Sequence, residues 1–338
     1  LEIEPWVATE WTVNADATEY TFELRDDVTF SDGTPLDAAA VARNFDTYGL
    51  GNPDLGLTVS EAINNYASSE VVDEDTVTFR FSAPAPGFLQ ATSTINSGLL
   101  PPETLDKTLE ELGAGNATDI VGSGPFVITA EELGTELTFE ARDDYDWAPP
   151  SSEHQGRAYL DTINLIVTPE DSVRIGSLLS GQAHYIRYVQ AFDEARVESS
   201  GFDLYAPQTR GVNNALSLRF TNPLLSDIAV RQALVAGVDS QEVVDTIFTG
   251  NYPRATSALS SSALGYKDES EFYEYDPEKA EELLDEAGWG AGADGIREKD
   301  GQRLSLDVYE AKPQPLSKQT LELVSQQLKK IGVELNVK

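Results

Sequence analysis

The sequence predicts an α/β protein of about two domains, and three observations carry that reading. Apolar residues in the first half recur with a period of two, the mark of half-buried strands. The second half instead carries apolar residues at helical spacing between recognisable caps. The chain is 338 residues long, enough for a sizeable core and longer than most single domains.

Taken in order, Tyr20, Phe22 and Leu24 alternate with Thr21, Glu23 and Arg25, which predicts a strand with one buried face. Ser31-Asp32-Gly33-Thr34-Pro35 follows as a turn, and a helix is expected over about 38–48, with Val41, Ala42 and Phe45 on one face. Val77, Phe79 and Phe81 predict a strand stopped by Pro84 and Pro86, and Leu137, Phe139 and Ala141 repeat the pattern. The Pro- and Ser-rich stretch 148–155 is the expected boundary. Beyond it, Ile163, Leu165 and Val167 predict a strand, and residues 172–180 a short helix closed by Gly181. Leu216, Leu218 and Phe220 predict another strand, ended by Asn222-Pro223. Helices then become frequent. Residues 227–238 group Val230, Ala233 and Leu234, and Ser240 is the expected N-cap of a helix running to Phe248. Asp276-Pro277 opens a further helix, with Gly288 as the left-handed residue after its end. Leu321, Val324, Leu328 and Ile331 keep helical spacing up to Gly332. Residues 333–337 begin a strand whose partner is expected in a segment beyond residue 338.

Composition narrows the function classes. Twenty-three basic residues face 58 acidic ones, for a net charge of −35. Such a chain is repelled by nucleic acid and by anionic membrane surfaces, so neither is an expected partner. The acids are dispersed, as in 269–278 and 281–286, so they read as a solvated surface suited to a salt-rich or cell-surface setting. There is no cysteine, hence no disulfide frame, thiolate metal site or cysteine nucleophile. Methionine is also absent, which composition alone does not explain. No apolar run reaches membrane-spanning length, and any targeting segment would precede Leu1.

A catalytic set does not assemble. His154 and His184 are the two histidines; both are expected to be structural, one in a surface loop and one after a helix. Gly290-x-Gly292-x-x-Gly295 matches the dinucleotide fingerprint by letter, but it follows a helix instead of opening one, so a loop is expected. Gly122-Ser123-Gly124-Pro125 lacks the lysine of a phosphate loop. Asp143-Asp144-Tyr145-Asp146 offers oxygen ligands without the glycine and distal glutamate of a calcium loop. Asn116-Ala117-Thr118 fits a glycosylation acceptor, a short pattern that is commonly accidental. No pair among the 58 carboxylates is singled out by its surroundings as a glycosidase pair. No metal and no cofactor is implied, and a binding protein is expected over an enzyme.

Several stretches, in order, resemble the extracellular solute-binding proteins that serve peptide and nickel ABC importers. They begin with the strand, the Leu24-Arg25 to Phe30 core and the Asp32-Gly33-Thr34-Pro35 turn entering a helix; Asp27 stands where the family commonly has Gly. Val121–Phe126 is similar to the family's GTGPF run, with Ser123 for Thr, and Asp144-Tyr145-Asp146-Trp147 is similar to its aromatic end. Tyr159-Leu160-Asp161, Ser180–Ala183 and Asn222-Pro223-Leu224-Leu225 through Leu234 continue the match; His184 replaces a usual Asp. Tyr275-Asp276-Pro277, Lys279-Ala280, Leu283-Leu284, Ala287-Gly288-Trp289 and Asp294–Arg297 complete it.

The resemblance implies a two-lobed, periplasmic-binding-protein-like α/β fold of the large peptide-binding type, shortened at both ends relative to the family pattern. Residues 1–155 would form a subdomain attached to the first lobe, 156–222 part of that lobe with a crossing strand, and 223–338 the first part of the second lobe. It further implies a monomer outside the cytoplasm, periplasmic or lipid-anchored, that passes an oligopeptide, dipeptide or other small solute to permease subunits; the alternatives are a cell-surface peptide receptor or chaperone without transport and, less favoured, a carboxylate-based hydrolase. The residue that holds a peptide's amino group in relatives would fall beyond residue 338.

A cleft binder needs amides, hydroxyls and a few charges presented around an apolar wall. Arg210, Gly211, Asn213 and Asn214 lead into the crossing segment and are similar to a family stretch that lines the cleft; Arg210 suits a carboxylate. Gly and Asn are equally at home in a plain turn. Ser93, Asn96 and Ser97, in a polar run that also holds Thr92, are second candidates, and Tyr188, near Gln190, is a third. Removing Asn213 and Asn214 together is expected to weaken ligand binding with little loss of melting temperature.

Overall fold

The alternating pattern around Tyr20 is realised as the middle of an antiparallel sheet. The computed structural model describes residues 2–208, 210–312, 314 and 316–338, and the chain divides into two compact units, Leu1–Thr168 and Pro169–Lys338.

In the first unit, β1 (Ala8–Val13), β2 (Glu19–Leu24), β3 (Tyr66–Val71) and β4 (Thr76–Phe81) form a sheet in the order β1-β2-β4-β3, antiparallel throughout. Tyr20 lies opposite Phe79 and Phe22 opposite Val77, so the apolar positions of neighbouring strands come into register. Helix α1 (Ala38–Leu50) starts where the Asp37 carboxylate accepts from the Ala40 amide. Its buried Val41, Ala42 and Phe45 join the same core. Phe88, which opens α2 (Phe88–Thr92), sits with its ring 4.8 Å from Phe81, 5.1 Å from Tyr20 and 5.4 Å from Phe79. The edge-to-face angles suit the aromatic quadrupole. After α3 (Pro102–Leu105), the strands β5 (Phe126–Glu132), β6 (Glu136–Ala141) and β7 (Thr162–Ile166) make a second antiparallel sheet in that order. Buried Arg142 follows β6. It donates to Thr29 O, Thr29 Oγ1 and Phe30 O, pairs with Asp144, and lies 5.0 Å over the Trp147 ring.

The second unit begins with α4 (Asp171–Leu179) and α5 (Ala191–Ser199), whose Ile175, Leu178 and Val197 form one small core. A larger core gathers α6 (Ile228–Ala236), α7 (Ser240–Ile247) and α8 (Pro277–Glu286) with later elements. Those are the short strands β8 (Gly290–Ala291), β9 (Arg297–Lys299) and β10 (Gln302–Arg303), then β11 (Ser305–Val308), α9 (Ser317–Lys330) and β12 (Glu334–Val337). Val230, Ala233, Leu284, Leu304 and Val333 are fully buried there. Helix α8 follows its sequence signals: Asp276 caps Lys279 N, Pro277 takes the first position, and Gly288 has φ 84°. Among the described residues no helix is long and apolar enough to cross a membrane.

Three expectations are corrected. Residues 216–220 form no strand; the alternation of Leu216, Leu218 and Phe220 marks an amphipathic segment, but among the described residues no neighbouring strand supplies a ladder, and a bridge nearby joins Val212 to Leu259. The strand at the chain end has its partner upstream: β12 pairs in parallel with β11, across the α9 connection. The cap of α7 is Asp239, whose carboxylate accepts from Glu242 N, while Ser240 Oγ accepts from Arg254. Both residues are good caps, and the carboxylate reaches the third amide from one position earlier.

Candidate functional site

The stretch holding Arg210 to Asn214 has neither helix nor strand and is strapped to residues 257–260. Asn213 N donates to Ala258 O and Ser260 N donates to Gly211 O, both at 2.8 Å, and Gly211 N donates to Ser260 Oγ at 3.2 Å. Gly211 takes φ 138°, where a side chain is strained. The side-chain amide of Asn213 donates to Ser257 O and to Leu259 O, each at 2.8 Å. Asn213 therefore ties the strap down, and its two donors are engaged within the protein. Arg210 and Asn214, on either side of the tethered residues, are exposed.

Tyr188 is placed by a residue that the sequence reading passed over. The guanidinium of Arg174 on α4 donates to Arg187 O at 2.9 Å and to Tyr188 O at 3.0 Å, while pairing with Asp171. Between them these bonds hold Tyr188 at φ 60°, a left-handed conformation that a tyrosine rarely adopts. The ring is exposed, and the Arg187 guanidinium stands 4.9 Å from its centroid. Two residues on, Gln190 Oε1 is buried without a hydrogen-bond partner. Arg174 gave no signal in the sequence because its acceptors are carbonyls 13 and 14 residues away.

In the first unit, the polar run 92–97 is mostly engaged with its own backbone. Thr92 Oγ1 donates to Leu89 O and Ser93 Oγ to Gln90 O. Ser97 is buried, its hydroxyl on Ala91 O at 2.8 Å, so it faces the core and not solvent. Asn96 is exposed. Of the predicted contacts here, Asn96 and Ser93 reach water; Ser97 does not.

The sites set aside on sequence grounds have structural employment. Ser123 O and Gly122 O accept from Trp147 Nε1 and Ser31 N, so the 122–125 loop turns carbonyls, not amides, toward its neighbours. Asp143 pairs with Arg157 and Asp144 with Arg142. Gly292 and Gly295 lie in the β8–β9 hairpin turn, where a Cβ on Gly292 would stand 2.3 Å from Ile296 O. His154 stacks on Tyr159 at 3.9 Å in a loop. Among the described residues no group of three or more His, Asp or Glu side chains is placed to hold a metal. Recesses in the first unit, one of about 490 Å³ lined by Asp32, Pro35, Arg43 and Pro102, contain none of the predicted contacts.

The family model for bacterial extracellular solute-binding proteins, family 5 Middle, matches residues 2–338. The glutathione-binding protein GsiB of Salmonella paratyphi A is 27% identical over all of this chain and 61% of its own length. The dipeptide-binding protein of Escherichia coli is 26% identical over 99% of this chain and 63% of its own. The crystal structure of NikA from Brucella suis in complex with Fe(III)-EDTA matches with a TM-score of 0.76 and 30% identity, over 99% of this chain and 66% of that one. The chain thus spans about three fifths of the length of the curated relatives it matches.

Proposed function

Because the chain belongs to the bacterial extracellular solute-binding proteins of family 5, we propose that it is the ligand-capturing component of an ABC importer. In this reading it works outside the cytoplasm, as a monomer, and hands its ligand to membrane permease subunits without transforming it. Residues 1–155 are a subdomain of the first lobe, 156–222 belong to that lobe, and 223–338 begin the second. The observation that carries the reading is the family match from residue 2 to residue 338.

The ligand class is a small solute bearing a carboxylate, with a dipeptide or oligopeptide first. A dipeptide, glutathione and EDTA, the ligands named for the three relatives, share that group. Arg210 is exposed and carries the planar fork that binds carboxylate bidentately; Asn214 beside it offers an amide. Gly211 and Asn213 set the strap that presents them. Tyr188 supplies an aromatic face, and Asn96 and Ser93 polar contacts. Ser97, buried with its hydroxyl on Ala91 O, supports the run without touching ligand. Unequal affinity for open and closed forms would drive closure.

Calorimetric titration with Ala-Ala and with glutathione, followed by mass spectrometry of the recovered peptide, tests this. One-to-one binding with the peptide returned intact is expected. Cleavage of the peptide would replace the binder by a hydrolase.

A further inference from the structure

We infer that Glu194 is a polar latch that fixes the α4–α5 layer against the α6–α8 layer in the ligand-free protein, the state that must yield for the two layers to move. The inference rests on the binding-protein reading above and adds a named residue to it.

Among the described residues the second unit has two apolar cores that share no residue. One is built from Ile175, Leu178 and Val197, with Phe202 and Val189 at its rim; the other is centred on Val230, Leu284 and Leu304. Between Phe202 and Leu218, which belong to different cores, the described residues lie outside helix and strand and are largely exposed. Near its middle it is strapped through Gly211 and Asn213 to 257–260. Two separately stabilised layers form a pair that can rearrange, because among the described residues they share no core.

Glu194 bridges them. It lies on α5 and is 5% exposed. One carboxylate oxygen, Oε2, accepts from Thr249 Oγ1 at 2.5 Å and from Asn251 Nδ2 at 2.9 Å, both just beyond α7. Neighbouring Tyr252 has its phenol raised above the ordinary value, first by burial and then by the Glu194 charge. A buried carboxylate is tolerated only while hydrogen-bonded, and once exposed it is well hydrated. Engaged and open states are thus both satisfied, and half-open ones are not. An apolar seam at the same place would resist opening; a carboxylate on two neutral donors holds one arrangement yet releases it reversibly.

The chain has no cysteine, so Ser199→Cys on α5 and Glu282→Cys on α8, both exposed, accept spin labels cleanly. Pulsed electron–electron resonance on the ligand-free, full-length protein then reads the distance between the layers. With Glu194 intact a single short distance should dominate. Glu194→Ala should cut that population about a hundredfold relative to longer distances, the effect of losing two charge-assisted bonds of about tenfold each. Asn251→Ala, which leaves α5 untouched, should shift it severalfold in the same direction and decides the matter if the first variant misfolds. Unchanged distances in Asn251→Ala, or in a folded Glu194→Ala, overturn the latch. No ligand enters this measurement, so its failure leaves the capture function standing, and absent binding in calorimetry leaves the distances standing.

Discussion

Asn213 and Asn214 are adjacent in sequence but differ in setting, one tethered and one exposed, and dividing them by substitution probes the strap in depth. Asn213→Ala removes two amide donors from Ser257 O and Leu259 O, each bonded at 2.8 Å in a half-buried setting. A net value of about 1 kcal/mol for each bond gives a loss of about 2 kcal/mol. For a unit of this size that lowers the melting temperature by about 4–8 °C. Asn214→Ala touches an exposed side chain and should stay within about 0.5 kcal/mol of the parent. Its effect belongs to ligand affinity, with about a tenfold loss expected for one hydrogen bond to a charged group. Scanning calorimetry and titration calorimetry on the two single variants separate these outcomes. An Asn213→Ala protein that melts like the parent would refute the tether, and unchanged affinity in Asn214→Ala would refute the contact. The expectation that both could be removed with little loss of melting temperature is revised by the Asn213 tether.

Two further outcomes follow from charge. Arg142→Met should cost about 2–4 kcal/mol by thermal melting, because it leaves Thr29 O and Phe30 O buried without their donor. The Arg142 side chain also holds the Asp144 carboxyl below its ordinary value, chiefly by hydrogen bonding. A depressed carboxylate stabilises the fold above its unfolded value and stops doing so as pH falls through the lowered one. The acid limb of stability below pH 4 should therefore shrink in the variant, only slightly since Asp144 is largely exposed. Second, a net charge of −35 repels itself, and raising salt from about 0.15 to 1 M shortens the screening length from about 8 to 3 Å. The melting temperature should rise by about 5 °C or more across that range; a flat or falling response would contradict the surface reading of the acids.

The elements that the sequence announced most clearly were those with two independent signals. Helix α8 had a cap, a first-position proline and a closing glycine, and α1 had an apolar face behind a turn. Residues 216–220 had periodicity alone, which reports an extended amphipathic segment but not whether a neighbour pairs with it. At α7 two adjacent capping residues competed, and only geometry chose Asp239. For the candidate contacts, the sequence named residue types suited to a ligand but not the hydrogen bonds that engage some of them within the protein. Asn213 and Asn214 read identically until one amide is seen on two carbonyls. Ser97 read as a surface hydroxyl until its bond to Ala91 O turned it inward. Arg174 and Glu194 were invisible because their partners are brought near by folding, 13 to 57 residues away.

The most direct test of the central claim is mass spectrometry of small molecules released when the full-length protein, purified without added ligand, is denatured. Capture in a closed cleft predicts one carboxylate-bearing solute per chain, recovered intact, with short peptides foremost. Recovery of nothing, together with turnover of added peptide, would contradict it.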